Sequence, residues 1–431
     1  MKDVIALDKR IKSKPHFFIS EKNIVSGPFG SSLTSSSYLT NGVPFIRIEN
    51  IKNGFSISKE NLIYISEHDN SRLKSSQLFI NDLILSKVGN TIGFYARVDE
   101  EMKACNISEN NIGIKLTDYS IERKHFILTY LNTSVGYKLT VRRTSGNAQP
   151  KLNVFDVSEI PIPALSKDFE KTISEIVLDS RAKIEKSKSL YSEAEDILLS
   201  ELGLKNWQPK KESVSVKSFS DFAKSGRLDA EYYQPKYDEL FNHLSHYNCV
   251  KLGDIVSIKK SVEPGSESYI AEGIPFIRVS DVSKFEISKT DLHLSPKEFD
   301  LESLRPHKDT ILFSKDGSIG IAYKCQKDLN VITSGALLHL DVRDETILPD
   351  YLTIVLNSMV TKLQAERDSN GAIIQHWKPE DIKKVVIPVL SMQNQSLIAE
   401  KIQKSFDLRK ESKELLESAK RMVEEEIEGV K

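Results

Sequence analysis

The sequence predicts an α+β protein of two similar halves, each an α/β domain followed by a long helix. The first observation is a repeat: GVPFIR at Gly42 to Arg47 returns as GIPFIR at Gly273 to Arg278. Further matches follow in the same order, Ser86-Lys87-Val88-Gly89 with Ser314-Lys315-Asp316-Gly317, Leu131-Asn132 with Leu356-Asn357, and Asp156-Val157 with Asp381-Ile382. The spacing is that of a whole domain and too long for a solenoid, so we expect an internal duplication with pseudo-two-fold packing.

The second observation is a shared order of elements. Short segments rich in β-branched and aromatic residues, bounded by Gly, Asn and Ser, are typical of strands and turns. They lie at 45–48, 62–65, 82–86 and 94–98, and again at 276–279, 310–314 and 320–323. In each half a helical stretch follows (124–141 and 349–366), then a polar loop and a short strand ending at Pro163 or Pro388.

The third observation is a long helix that closes each half. Apolar and small residues recur at alternating steps of four and three, a coiled-coil pattern whose Ser and Ala allow close approach but weaken burial. We expect the helices to pack against each other or against a partner protein; alternatively, each covers only its own domain. The seam and candidate partner-docking residues are Ile173, Val177, Ser180, Ile184, Ser187, Tyr191, Ala194, Leu198, Ile398, Ile402, Ser405, Leu408, Ser412, Leu415, Ala419 and Met422.

These patterns predict four segments along the chain. They are a first α/β domain at 1–165, a central helix at 166–205, a second α/β domain at 206–390 and a C-terminal helix at 391–431. A helix of about 35 residues spans about 50 Å, so we expect the two helices to hold the domains a fixed distance apart.

Composition narrows the class of protein. The 431 residues carry a net charge of −1, which predicts no strong polyanion or membrane affinity overall, although such a total can conceal a basic face. Cys105, Cys249 and Cys325 stand apart, which fits a reducing cytoplasm rather than a disulfide framework or zinc site. No signal peptide and no run of about 20 apolar residues is recognisable, so a cytoplasmic location is expected.

Catalytic motifs are missing from the sequence. It has no P-loop, no dinucleotide fingerprint, no nucleophile elbow and no Asn/Asp-Pro-Pro-aromatic tetrapeptide typical of amino-methyltransferases. Asp350 and Asp381 with Lys383 loosely resemble a nuclease pattern, but Ser158 stands at the position matching Lys383. His243 and His246 lie close enough to share a metal, yet no third ligand is evident. We expect no catalytic residue, no metal and no cofactor bound by this chain.

Each half does carry groups suited to a polyanion. Arg47 and Arg278 take the same place in the repeated strand, and Lys87 and Lys315 each precede a Gly-rich turn that would let a phosphate approach the backbone. Alternatively, the lysines are solvated and the arginines pair with carboxylates.

The loops after the helical stretches differ most between the halves. Arg, Asn and Gln read base edges bidentately, so a shared frame with different loop residues suits two readers of different sequences. Alternatively, these loops differ only because polar loops diverge in any case. The candidate DNA-binding residues are Arg47, Lys87, Asn90, Arg142, Arg143, Asn147, Gln149, Arg278, Lys315, Ser318, Arg367, Asn370, Gln375 and His376.

Longer segments also occur in a fixed order. They are SGPFGSSL, GVPFIRIENI, SKVGNTIG and SGNAQPKLNVFDVSEIPIP before the first long helix, and RLDAEYYQPKYDEL, GIPFIRVSDV and DIKKVVIPVL before the second. Together they resemble the specificity subunit of type I restriction-modification systems over nearly the whole chain. One departure is that RLDAEYYQPKY has no clear counterpart before the first domain.

The resemblance implies two target recognition domains, each reading one half of a bipartite, asymmetric site in double-stranded DNA. It implies that the helices form an antiparallel coiled coil, set the gap between half-sites and hold two modification subunits, on which S-adenosylmethionine is expected. Restriction subunits with motor and nuclease activity would join the complex, and this chain would be non-catalytic. The alternatives are a stand-alone DNA-modifying or nicking enzyme and a coiled-coil adaptor that binds only proteins.

Overall fold

The structure, a computed structural model, describes residues 2–28, 32–52, 54–89, 91–146, 150–209, 214–299, 301–369 and 375–429. The chain forms two compact units, Met1–Ile184 with Lys410–Lys431, and Glu185–Arg409. Both units mix helices with β-sheets, and each contains part of both long helices. Within the described residues, no helix is long and apolar enough to cross a membrane.

Among its described residues, the first unit forms three sheets, with strand orders β2-β10-β7-β8-β4, β5-β3-β9-β6 and β1-β11. Its elements are α1 (Lys2–Lys12), β1 (His16–Phe17), β2 (Ile24–Ser26), β3 (Val43–Ile46), β4 (Phe55–Ser56), β5 (Ile63–Ile65), α2 (Glu67–Arg72), β6 (Leu78–Phe79), β7 (Leu83–Ser86), β8 (Tyr95–Arg97), β9 (Ala104–Ile107), β10 (Asn111–Ile114), α3 (Ile121–Leu131), α4 (Ser134–Val141), α5 (Val154–Ser158), β11 (Ile162–Pro163) and part of α6 (Lys167–Glu201).

In the part of the second unit that the structure describes there are also three sheets, with strand orders β13-β20-β17-β18, β14-β16-β15-β19 and β12-β21. Besides the rest of α6, its elements are α7 (Phe219–Ser225), α8 (Pro235–Leu244), β12 (Cys249–Lys251), α9 (Leu252–Ile255), β13 (Val256–Lys260), β14 (Tyr269–Ile270), β15 (Ile274–Ile277), β16 (His293–Leu294), α10 (Pro296–Phe299), β17 (Ile311–Ser314), β18 (Ala322–Lys324), β19 (Ile332–Thr333), β20 (Leu337–Val342), α11 (Pro349–Asn357), α12 (Met359–Asp368), α13 (Pro379–Ile382), β21 (Val386–Pro388) and part of α14 (Met392–Glu428).

The repeated segment forms the same kind of strand in both units. In the first, β3 pairs in parallel with β9, so that Ile46 lies opposite Ile107. In the second, β15 pairs in parallel with β19, so that Ile277 lies opposite Thr333. Both strands follow the burial pattern of Val43 to Ile46, in which only the proline is partly exposed. Each predicted strand segment overlaps an observed strand.

Each of the two predicted helical stretches is a pair of shorter helices, which corrects the expectation of one continuous helix. The first breaks at Thr133, whose Oγ1 accepts a hydrogen bond from the Gly136 amide at 3.1 Å. The second breaks at Ser358, whose Oγ accepts from the Val360 amide at 3.3 Å. A hydroxyl that accepts from these amides satisfies donors at the start of the next helix, so both breaks are N-caps.

The long helices pack antiparallel within the first unit. Ser180 of α6 and Ser412 of α14 are buried, and their hydroxyls lie 2.7 Å apart. One turn further along α6, Lys183 Nζ donates to Glu411 Oε2 at 2.7 Å. Because the residue number rises in one helix as it falls in the other, the two helices run in opposite directions.

The second unit contains the same arrangement. The hydroxyls of Ser187 and Ser405 lie 2.8 Å apart and are buried, and Lys401 Nζ donates to Glu193 Oε2 at 2.7 Å. Over the whole seam, the predicted apolar residues differ in exposure. Buried are Ile173, Val177, Tyr191, Leu198, Ile398 and Ile402, and half-buried are Ile184, Leu408, Leu415 and Met422.

The N-terminal helix α1 takes the position in the first unit that corresponds to RLDAEYYQPKY in the second, although the two sequences do not match. In the first unit α1 packs on α4, and its Ile11 joins the apolar core. In the second unit α8, which begins inside the segment RLDAEYYQPKYDEL and extends beyond it to Leu244, packs on α12 and buries Leu240 and Leu244 in the core. The two helices serve the same position with unrelated sequences, because a helix needs only an apolar face to pack there.

Candidate nucleic-acid interface

Arg47 stands where β3 ends and is held by its neighbours. The buried Asn50 accepts from the Arg47 amide at 2.9 Å and donates to the carbonyls of Ser58 and Glu60 at 3.0 and 3.2 Å. The guanidinium Nη2 of Arg47 donates to the Asn61 carbonyl at 3.1 Å. Both the backbone amide and the guanidinium of Arg47 are therefore held by hydrogen bonds to neighbouring residues.

A cleft of about 390 Å³ opens beside Arg47, and we call it the first cleft. Its wall includes the rings of Tyr38 and Phe45, whose centroids lie 5.9 Å apart. Arg47 and Glu49, which form an ion pair, also line the cleft, together with residues 108–110 of the β9–β10 turn. Aromatic rings beside a guanidinium and carboxylates suit a planar, polar ligand group.

The second unit has a matching cleft of about 390 Å³, the second cleft. The rings of Tyr269 and Phe276 form its wall, with centroids 5.7 Å apart. Arg278 follows β15, and its amide donates to the Asp281 carboxylate at 2.8 Å, as the Arg47 amide does to Asn50. Residues 334–336, between β19 and β20, also line this cleft.

The backbone fixes which rim positions correspond. Ser108 donates to the Ile46 carbonyl at 2.9 Å, and Ser334 donates to the Ile277 carbonyl at 2.8 Å. The turns that follow β7 and β17 are bonded to the same rims. The Lys87 amide donates to the Asn110 carbonyl at 2.7 Å, and the Lys315 amide donates to the Ala336 carbonyl at 2.9 Å. Positions 108, 109 and 110 therefore match 334, 335 and 336.

The two predicted lysines share a backbone position but differ in their side chains. Lys87 is half-buried, with Nζ 3.4 Å from Ser26 Oγ. Lys315 is 9% exposed and pairs with Asp316. Only Lys87 retains much of the cationic surface that a phosphate contact needs.

The turns after the lysines have the predicted glycine-dependent shape. Gly89 and Gly317 have φ angles of +85° and +73°, and a Cβ on either would meet no atom within 4 Å. Glycine is therefore required there by backbone conformation, and the space around each turn is open. Ser318 is exposed in the second turn, while the matching candidate Asn90 lies outside the described residues.

Arg142 and Arg143 are engaged with the N-terminal helix. Arg143 Nη2 donates to Asp8 at 3.0 Å and to the Glu159 carbonyl at 2.6 Å, and Arg142 lies 3.8 Å from Asp8. Although burial opposes ionisation, hydrogen bonds from Arg143 and Lys12 hold the pKa of the Asp8 carboxyl below its ordinary value. Arg143 thus ties α4 to α1, whereas Arg142 is exposed.

Arg367 occupies a comparable place in the second unit. Its Nε donates to Asp368 at 2.7 Å, and its guanidinium lies over the Phe241 ring at 4.3 Å and the Tyr232 ring at 5.2 Å. These contacts connect α12 to the region of α8. The nearby candidates Asn147, Gln149 and Asn370 lie outside the described residues.

Gln375 and His376 lie beside the second cleft. The Gln375 carbonyl accepts from the Gly317 amide at 2.9 Å, and His376 Nδ1 lies 2.9 Å from Asp316, a residue of the cleft lining. Both side chains are exposed. The structure thus gathers Arg278, Lys315, Ser318, Gln375 and His376 near one cleft, and Arg47 and Lys87 near the other.

Sequence reasoning missed the cleft rims. Tyr38 and Tyr269 stand at the same distance before the repeated segment, and the sequence did not identify them as cleft residues. Glu49, Glu109 and Asn110 were not singled out, because the parallel pairing of β3 with β9 joins positions about sixty residues apart in the chain. The matching serines at 108 and 334 were the available signal.

Comparison with known protein families gives a match over part of the chain. Residues 245–418 match the family described as "Type I restriction modification DNA specificity domain". The resemblance to the specificity subunit of type I restriction-modification systems is therefore confirmed. No curated protein matches the chain.

Solved structures that are similar to this chain include the following two subunits. The S subunit of a type I restriction-modification system from M. genitalium is 16% identical, with a TM-score of 0.39, and the match covers 97% of this chain and 94% of that one. The HsdS subunit from Thermoanaerobacter tengcongensis is 15% identical, with a TM-score of 0.31, and the match covers 96% of this chain and 95% of that one.

Proposed function

We propose that this chain is the DNA sequence-specificity subunit of a type I restriction-modification complex. Each unit is a target recognition domain that reads one half of a bipartite, asymmetric site in double-stranded DNA. The proposal extends the family match at residues 245–418 to the whole chain through the internal repeat.

One observation carries the proposal: a similar cleft is built twice, with the same wall and different rims. Tyr38 and Phe45 match Tyr269 and Phe276, whereas Glu49 matches Ser280. A frame used twice with altered contacts is what two half-sites of different sequence require. The remaining predicted residues, including Lys87, Arg142, Ser318 and Gln375, are candidate contacts to the phosphates or bases around each cleft.

We further propose that α6 and α14 form an antiparallel coiled coil that sets the gap between half-sites and docks two modification subunits. The buried serine pairs support close approach of the helices, because a hydroxyl pair occupies less space than two leucines. The exposed faces of the same helices would contact the partners. The chain itself has no catalytic role in this proposal, and S-adenosylmethionine and the motor-nuclease activity belong to modification and restriction subunits in the cytoplasm.

The decisive experiment expresses the chain with its neighbouring modification subunit and maps methylated adenines across the host genome. A split, asymmetric motif with a fixed gap, lost when the chain is omitted, supports the proposal. Methylation that does not depend on the chain would refute it. Turnover by the purified chain alone, with a divalent ion or methyl donor, would instead favour a stand-alone modifying or nicking enzyme.

Salt dependence separates DNA reading from the protein-only adaptor. A reader neutralises phosphates with Lys and Arg, so its affinity for DNA should fall steeply with salt while a preference for one sequence remains. An adaptor that binds only proteins would show no salt-dependent affinity for duplex DNA. The measurement is a titration of fluorescent duplexes with the assembled complex at several salt concentrations.

A further inference from the structure

We propose that the rims of the two clefts are where bases are told apart. The discriminating positions are 49, 109 and 110 in the first cleft, and 280, 335 and 336 in the second. This inference rests on the proposed function, since it assigns base discrimination to particular residues within each half-site reader. It also places discrimination at the cleft rims rather than in the loops at 142–149 and 367–376.

Residues common to both clefts cannot distinguish two different half-sites. The paired rings and the arginine recur at matching places, with the arginine amide held by the side chain three residues later. Their shared task is therefore a contact that any DNA sequence offers, such as a phosphate or the face of a base. Discrimination must come from positions where the clefts differ.

The first rim is rich in acceptors. Glu49 and Glu109 are exposed at the cleft, and carboxylates accept hydrogen bonds but do not donate them. Asn110, between them and the lysine turn, can do both. Such a set favours a base edge that presents an amino group, which is N4 of cytosine or N6 of adenine, and it disfavours a phosphate.

The second rim has a different chemistry. Ser280 replaces the glutamate, and at Gly335 a Cβ would lie 2.7 Å from Glu263 Cγ, so a side chain there would displace Glu263. Glu263 lines the cleft from another segment and is paired with Lys260 at 2.8 Å. This rim therefore offers, at position 280, a hydroxyl that can donate as well as accept, and it suits a base edge that also offers acceptors.

The test transplants the second rim onto the first cleft. The variant Glu49→Ser, Glu109→Gly, Asn110→Ala is expressed with the modification subunit, and host genomic DNA is the probe for methylated adenines. We expect the base preference at one or two positions of a single half-site to fall roughly 10- to 100-fold, because one good base contact discriminates by about that factor. The other half-site and the gap should stay unchanged.

A matched control removes an exposed carboxylate outside the cleft. Glu67→Ser, on α2 of the same unit, should leave the motif as it is. If the triple variant does not assemble with the modification subunit, the single variants Glu49→Ser and Asn110→Ala give the same readout with smaller changes. A bipartite motif that still depends on the chain but is identical in all rim variants would overturn this inference and leave the proposed function intact. Loss of dependence on the unmodified chain would instead overturn the proposed function.

Discussion

Asn132 and Asn357 act as clamps between a helix and a strand. Asn132 accepts from the Tyr95 amide at 3.1 Å and donates to the Tyr95 carbonyl at 2.8 Å. Asn357 makes the same pair of bonds to Ala322, at 3.0 and 2.8 Å. A side-chain amide in this place satisfies both backbone groups of one residue. The residue lies on β8 in the first unit, which β7 and β4 flank, and on the edge strand β18 in the second.

Removing a clamp should destabilise its unit. Asn132→Ala leaves the Tyr95 backbone groups without this partner, and we expect a loss of about 1–3 kcal/mol in the free energy of unfolding. Asn357→Ala should cost a similar amount in the second unit. Urea denaturation measures both, with the exposed Asn242→Ala as control. Equal stability of clamp and control variants would show that the hydrogen bonds contribute little.

Arg278 is the clearer of the two cleft arginines to test, because its side chain is half exposed and lies 3.8 Å from its nearest carboxylate, Asp281. Arg278→Ala should weaken binding to all duplexes and reduce the slope of log affinity against log salt by about 1, without changing the preferred sequence. Arg343→Ala, an exposed arginine beyond the far end of β20, is the control. A changed base preference would mean that Arg278 reads bases.

Two buried histidines should make stability depend on pH. Burial lowers the pKa of His125 and of His339 to about 4, and neighbouring Arg97 and Arg181 add to the effect at His125. Between that value and the ordinary pKa near 6.5 the unfolded chain binds more protons, so stability falls as pH drops from 6.5 to 4 and levels off below. The loss is on the order of 2–3 kcal/mol for each histidine.

Urea denaturation between pH 7 and pH 4 measures this dependence. His125→Asn keeps a group able to bond with Ser174, and His339→Gln does the same for Thr333. Each variant should flatten the pH dependence, whatever its stability at pH 7. His68 is exposed, so His68→Asn should leave the pH dependence unchanged. An unchanged slope in both buried variants would contradict the prediction.

The sequence identified the repeated residues but not their partners. Leu131-Asn132 and Leu356-Asn357 were matched, yet the strand that each asparagine clamps could not be named, because the contact depends on tertiary packing. Arg143 was predicted to bind DNA, and its bond to Asp8 arises from an N-terminal helix that had no sequence counterpart. The DNA-binding role of each candidate residue stays a prediction.

At the scale of elements, the serine pairs determine how closely the long helices approach. Ser187→Leu would put three carbon atoms in place of one oxygen in a buried contact, and we expect a loss of about 1–3 kcal/mol from overpacking. Ser187→Ala should cost less, because Ser405 still donates to the Ser187 carbonyl at 2.9 Å. Ser189→Leu, on the exposed face two residues away, is the matched control and should change stability by under about 0.5 kcal/mol. Equal losses at 187 and 189 would argue against a tight seam.

Periodicity predicted the long helices well and the shorter ones less well. The seam repeats over ten turns, so its signal is strong at α6 and α14. The stretches 124–141 and 349–366 are apolar on both sides of the break, so the pattern continues across it. Only the cap chemistry of Thr133 and Ser358 marks the boundary, and a threonine or serine inside a helix is too common to reveal it.

At the scale of the whole molecule, the proposed coiled coil makes the gap in the DNA motif adjustable. Inserting one heptad after Ile184 and one after Leu408 adds about 10 Å to each helix and keeps the seam in phase. The gap in the methylated motif should grow by about three base pairs, with both half-sites unchanged. Genome-wide methylation mapping measures it, and a heptad in only one helix is the control, which should prevent assembly. An unchanged gap would show that the helices do not set it.

The first unit is closed by residues 410–431, which follow the entire second unit in the chain. Ala419, Val423 and Ile427 fill its core beside Ile173, and Lys14 donates to the Ile427 carbonyl at 2.8 Å. The apolar core of the first unit can therefore be completed only after the whole of the second unit has been translated. A chain that stops before Ala419 would leave part of this core without its covering helix, even with the second unit fully made.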